Sequence, residues 1–103
     1  MIGWGFDAEA DDLYLESTTI WTIHFKSFCG KKNLVVKPFE EGEEESKKKI
    51  LKYIKSFPDN AIVIGHNHLG YDLWMLWRHL DIPFIKGYSN TDFIGTKKVN
   101  IID

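Results

Sequence analysis

Three features of the sequence predict an α/β fold. Three short runs rich in β-branched and aromatic residues open the chain. A helical period replaces them from about Glu43 to Phe57, where Ile50, Ile54 and Phe57 recur at i, i+4 and i+7 with Leu51 beside them. A continuous apolar run, Ala61-Ile62-Val63-Ile64-Gly65, then precedes a second amphipathic stretch. Strands followed by alternating helix and strand read as an antiparallel unit extended by parallel strands through crossover helices.

Each element has its own signal. Gly3-Trp4-Gly5-Phe6-Asp7 reads as a first strand and Ala10-Asp11-Asp12 as a turn. Ile20-Trp21-Thr22-Ile23-His24-Phe25 is the clearest strand. Cys29-Gly30-Lys31-Lys32-Asn33 suits a tight connection to a third, Leu34-Val35-Val36-Lys37, which Pro38 ends, and the three form an antiparallel meander. In the first predicted helix glutamates crowd the first turn and lysines follow, which complements the helix dipole and leaves a solvated face. Pro58-Asp59-Asn60 breaks this helix, and the apolar run after it is expected to be buried on both faces. A second helix over Asp72 to Leu80 presents Leu73, Leu76, Trp77 and Leu80 at i, i+3, i+4 and i+7, which places Trp77 in the core. Asp81-Ile82-Pro83 stops it, a loop follows, and Val99-Asn100-Ile101-Ile102 is the last strand.

The succession βββ-α-β-α-β is the ribonuclease H-like layout. No residues follow the last strand to form a final covering helix, so residues 1–103 read as the N-terminal part of a domain, truncated before that helix.

At 103 residues, 44% hydrophobic, 15% aromatic and 27% charged, the chain has the composition of one globular domain, and wholesale disorder is excluded. Its net charge of −2 lacks the basic excess of proteins that hold nucleic acid mainly by charge. Twelve of its thirteen basic residues are lysines and only Arg78 is an arginine, so bidentate phosphate clamps are scarce. Any nucleic-acid role needs another source of affinity, of which a bound cation is the obvious one. Cys29 is the single cysteine, which excludes an internal disulfide framework and a zinc site of several cysteines. No apolar run is long enough to span a bilayer. Met1-Ile2-Gly3-Trp4 lacks the basic start of a secretory signal, so a cytoplasmic location is expected.

Chemistry-bearing residues gather in two places. Asp7 and Glu9 are two apart where the first strand meets a turn, so both carboxylates project to one side. Paired carboxylates repel, and a hard cation such as Mg²⁺ or Mn²⁺ relieves the strain. Taken alone, the pair also suits ordinary exposed acids. Asp72 opens a helix directly after a buried strand, within Gly65-His66-Asn67-His68-Leu69-Gly70-Tyr71-Asp72, and sites in α/β sheets collect at such strand ends. Asp72 equally suits a first-turn acid favoured by the helix dipole. His66 and His68 lack a third nitrogen or sulfur ligand at zinc spacing, and His24 and His79 read as structural or exposed.

Asp7-Ala8-Glu9-Ala10-Asp11-Asp12-Leu13 resembles the first motif of DEDD (DnaQ-like) 3′–5′ exonucleases, D-x-E followed by a leucine four positions later. Asn67-His68-Leu69-Gly70-Tyr71-Asp72 resembles their second motif. The nearest likeness is to the N-terminal proofreading domain of bacteriophage family A DNA polymerases. The resemblance implies two-metal removal of single nucleotides from a DNA 3′ end, with Mg²⁺ or Mn²⁺ as cofactor and a single-stranded DNA end as substrate. It implies that Asp7 bridges both metals, Glu9 binds the hydrolytic one and Asp72 holds the second. Leu13 would contact the terminal base, and Asn67 and Tyr71 would support the substrate or the Asp72 loop.

One departure matters. The family's third motif, Tyr or His followed by Asp on the helix after the last strand, is absent; Asp92 and Asp103 lack its context. The expected partner is therefore the remainder of the exonuclease and polymerase chain, and the isolated chain is expected to be inactive. The alternative is a non-catalytic subunit or pseudo-nuclease fragment that folds with a partner chain. Trp74 and Trp77 read chiefly as packing, with base stacking as the lesser reading.

Overall fold

Alternation along the first strand sets the two faces of the sheet. In β1 (Gly3–Ala10), Trp4, Phe6 and Ala8 are buried, whereas Asp7 and Glu9 are exposed. The computed structural model describes residues 3–10, 20–65, 72–88 and 91–102. β2 (Ile20–Ser27) and β3 (Asn33–Val36) complete the antiparallel meander expected from the sequence. A four-residue helix α1 (Pro38–Glu41) and α2 (Glu43–Lys55) then lead to β4 (Ala61–Ile64), which pairs parallel to β1. α3 (Asp72–Leu80) is followed by β5 (Phe84–Ile85), β6 (Asp92–Ile94) and β7 (Lys97–Ile102). One mixed sheet of seven strands results, in the order β3-β2-β1-β4-β7-β6-β5. The chain is thus α/β, with a mixed sheet and helical crossovers.

Two local choices differ from expectation. Pro38 does not merely end the third strand; it opens α1, where its fixed φ and missing N–H suit the first helical turn. Gly42 separates α1 from α2 at φ 91°, a conformation that a residue with a Cβ rarely adopts, so a bend replaces one continuous helix. The predicted loop after α3 contains β5 and β6, which join β7 as antiparallel additions. With two and three residues, these strands are too short to show a period-2 pattern in sequence.

An aromatic cluster fills the core beneath α2. Phe57 stacks on Trp4 with ring centroids 3.8 Å apart and planes 12° apart. Phe6 stacks on Phe25 at 4.7 Å, and Tyr53 closes the cluster edge-on against Phe57. Both Tyr53 Oη and Trp4 Nε1 donate to the carbonyl of Lys32, tying helix and strand to the β2–β3 connection. Under α3, Leu73, Met75, Leu76 and Leu80 are buried in the same core as Val63, Val99 and Ile101. Trp77 does not join them; it is 40% exposed, and Met75 is buried instead. The buried stripe is rotated toward Asp72 and Met75, and the bulky indole lies on the outer side of the helix.

The fourth strand also departs from expectation. Ala61 and Val63 are buried, but Ile62 is half-buried and Ile64 exposed. The cause is topological. The steps from β1 to β4 and from β4 to β7 run the same way across the sheet, so right-handed crossovers put α2 and α3 on one face. The two helices accordingly touch each other. Among the described residues no helix covers the opposite face. Gly5, Ile64 and Ile102 form one row across it, in register on β1, β4 and β7.

Candidate functional site

β1 outruns its parallel neighbour. Its last pairing with β4 is Gly5 with Ile64, whereas β1 continues to Ala10 beside β2. Asp7 and Glu9 therefore project from the open face beyond the carboxyl end of β4, where α/β sheets leave a crevice. Asp7 pairs with His24 and Glu9 with Thr22, and the register shifts between Glu9 and Ala10. The extra residue at this shift, Trp21, belongs to β2, so the ladder is interrupted just beyond Glu9. Cross-strand partners lie on the same face, so the half-buried His24 stands beside Asp7. Sequence reasoning left His24 as structural, because no spacing within one strand reveals which residue of the next lies opposite.

Asp72 lies at the first position of α3 and is 4% exposed, with α3 packed against β1. Among the described residues, no three His, Cys, Asp or Glu side chains form a group able to hold a metal ion. Asp7 and Glu9 thus share one exposed face, and Asp72 is buried at the start of the helix that packs against the same strand. The pair supplies two hard oxygen donors, which fits part of a divalent-cation site and not a whole one. Leu13, Asn67 and Tyr71, together with His66, His68 and Asp103, lie outside the described residues.

Asp92 has a structural task. Its carboxylate is 2% exposed and accepts from Ile101 N at 2.9 Å, Gly87 N at 2.9 Å and Lys86 Nζ at 2.8 Å. Burial pushes the carboxyl upward, but the Lys86 ammonium and the two amides outweigh it and hold the group below the ordinary carboxylate range. A side chain committed on three sides pins the segment after β5 to β7.

Clefts among the described residues lie away from the acidic pair, and a shallow one of about 340 Å³ is lined by Leu34, Lys49, Lys52, Tyr53 and Ser56. Another, of about 280 Å³, is lined by Trp4, Phe28, Cys29 and Lys32 among others. A further one, of about 470 Å³, lies between α2 and the β6–β7 turn and includes Lys47, Leu51, Ile94 and Lys97. The Cys29 thiol is exposed and held below the usual thiol range, first by the Ser27 hydroxyl and then by the amide of Lys31. No described helix is long and apolar enough to cross a membrane. Compared with family models, with curated proteins and with solved structures, the chain matches none.

Proposed function

We propose that the chain is the N-terminal part of a ribonuclease H-like 3′–5′ exonuclease domain, of the proofreading kind that begins bacteriophage family A DNA polymerases. Its substrate in this reading is the 3′ end of single-stranded DNA. The observation that carries the proposal is the placement of Asp7 and Glu9 on the open face of β1, beyond the end of β4. The strand order β3-β2-β1-β4-β7 and the start of α3 at Asp72 support it. The two carboxylates suit Mg²⁺ or Mn²⁺, hard cations that accept oxygen donors. The remaining donors in this reading are Asp72 and the acid of the third motif, which is carried by the rest of the exonuclease and polymerase chain. Without a cation the two carboxylates repel the phosphodiester, and in this reading the isolated chain releases no nucleotides.

Titration of the labelled chain with Mn²⁺, followed by amide NMR, tests this placement. Paramagnetic broadening is expected first at residues of β1 around Asp7 and at His24, and Asp7→Asn abolishes it. Broadening spread over the surface glutamates, unchanged by Asp7→Asn, overturns the reading. A fragment carrying the third motif, mixed with this chain, Mg²⁺ and single-stranded DNA, is then expected to restore 3′ nucleotide release that requires Glu9.

A second reading, a non-catalytic subunit folding with another chain, is favoured by the open sheet face, where Ile64 and Ile102 are 38% and 37% exposed. It predicts a stable complex with that fragment in which nucleotide release stays at background.

A further inference from the structure

We infer that Trp74 and Trp77 on α3 form a stacking platform for the bases of a single-stranded nucleic acid. The two indoles lie parallel, with centroids 5.2 Å apart and planes 9° apart, and are 47% and 40% exposed. Phe84 on β5 meets both edge-on, at 5.2 and 5.6 Å with 83° between planes. That buttress fixes the rings from one side and leaves indole surface in water. Large flat apolar groups are costly to expose, and a patch of them on a small domain marks a binding surface.

The flanking charge selects the occupant. Arg78, one position after Trp77 and four after Trp74, shares their exposed side of the helix. It makes none of the four ion pairs among the described residues. Lys86, just past β5, pairs with Asp92 yet keeps 43% of its side chain exposed. Parallel aromatic faces bordered by cations suit a ligand that alternates flat bases with phosphates, because stacking tolerates any base while the cations follow the backbone. Duplex DNA hides its bases, so the fit is to a single strand. The platform also begins within the first turn of α3, the helix that starts at Asp72. The choice of nucleic acid rests partly on the exonuclease reading above, although the platform itself requires no cation and no cleavage.

The test uses the 103-residue chain in EDTA, so that no cleavage intervenes. An oligothymidylate of about eight nucleotides, within the span a small single-strand-binding domain covers, is titrated while the indole N–H resonances are followed. The Trp74 and Trp77 resonances are expected to shift and saturate. Base-free polyphosphate of equal charge is expected to leave them in place. Trp74→Leu, which keeps apolar bulk without a π face, is expected to weaken binding at least about fivefold, and Trp74→Phe to retain most of it. Equal binding by wild type and Trp74→Leu overturns the inference, as does an equal response to polyphosphate. So do indole shifts that depend on protein concentration without oligonucleotide, which would assign the platform to a second copy of the chain. The Mn²⁺ titration at β1 is run without DNA and the oligonucleotide titration at α3 in EDTA, so loss of the Mn²⁺ response and loss of stacking report separately on the two readings.

Discussion

Asp7 on β1 and His24 on β2 face one another across the antiparallel ladder, two residues before the register shift that follows Glu9. A carboxylate and an imidazole therefore stand side by side, one step along the same face from Glu9. Such an arrangement costs the fold something, because Asp7 and Glu9 repel on one side of the strand.

That cost is measurable. Without metal, Asp7→Asn is expected to leave stability unchanged or raise it by up to about 1 kcal/mol, the scale of like-charge relief on one sheet face. With excess Mn²⁺, the wild type is expected to gain thermal stability and the variant to gain none, since a ligand stabilises only the state that binds it. Equal Mn²⁺-induced shifts in melting temperature would remove Asp7 from the cation site.

The Trp4–Phe57 stack makes a different prediction. Phe57 is 2% exposed and also meets Phe25 and Tyr53 edge-on. Phe57→Ala is expected to destabilise by about 3–5 kcal/mol, a large part of the total stability of a domain this size. Phe57→Leu, which refills most of the cavity, should cost clearly less. Urea denaturation of both variants checks the order.

Asp92 predicts a pH dependence. Its folded carboxyl lies below the ordinary range, so its contribution is complete above about pH 4 and is lost as pH falls through the folded value. Asp92→Asn is expected to cost about 1.5–3 kcal/mol at neutral pH, from hydrogen bonds to a charged acceptor. It should cost markedly less in strong acid. Denaturation curves of both proteins at neutral pH and near pH 2 supply the comparison, and a cost independent of pH would refute the assignment.

Two glycines of β1 separate steric need from tolerance. A Cβ at Gly3 would lie 2.5 Å from the Phe28 ring and 2.9 Å from the Ile62 carbonyl oxygen, which is held in the ladder and cannot step aside. At Gly5 the nearest atom, Lys26 O, is 3.8 Å away. Gly3→Ala is expected to destabilise by about 1–3 kcal/mol as overpacking does, and Gly5→Ala by much less. Thermal melts of the two variants make the test.

The legible parts of this protein were those written in local periodicity. The strand runs Gly3–Asp7 and Ile20–Phe25, the helix carrying Ile50 and Ile54, and the break at Pro58 follow from side-chain alternation and turn chemistry, although β1 runs on through Ala10, which read as a turn, and β2 through Ser27. The exposure of Asp7 and Glu9 on one side of β1 was legible for the same reason, since i and i+2 share a face whatever the fold. Other features depend on contacts between distant residues. Trp77 is exposed because Met75 is buried in the core and Trp74 and Phe84 receive the indole, a choice between two acceptable helix stripes. β5 and β6 exist because β7 offers an edge and Asp92 anchors the segment to Ile101. Ile64 is exposed because both crossovers fall on one face of the sheet. His24 stands beside Asp7 only through the register of β1 and β2. The sequence by itself determined which segments are strands and helices and which side each acid takes, because those depend on neighbours a few residues away. Tertiary structure alone decided which faces are covered and which side chains meet, because packing and strand register are set between residues far apart in the chain.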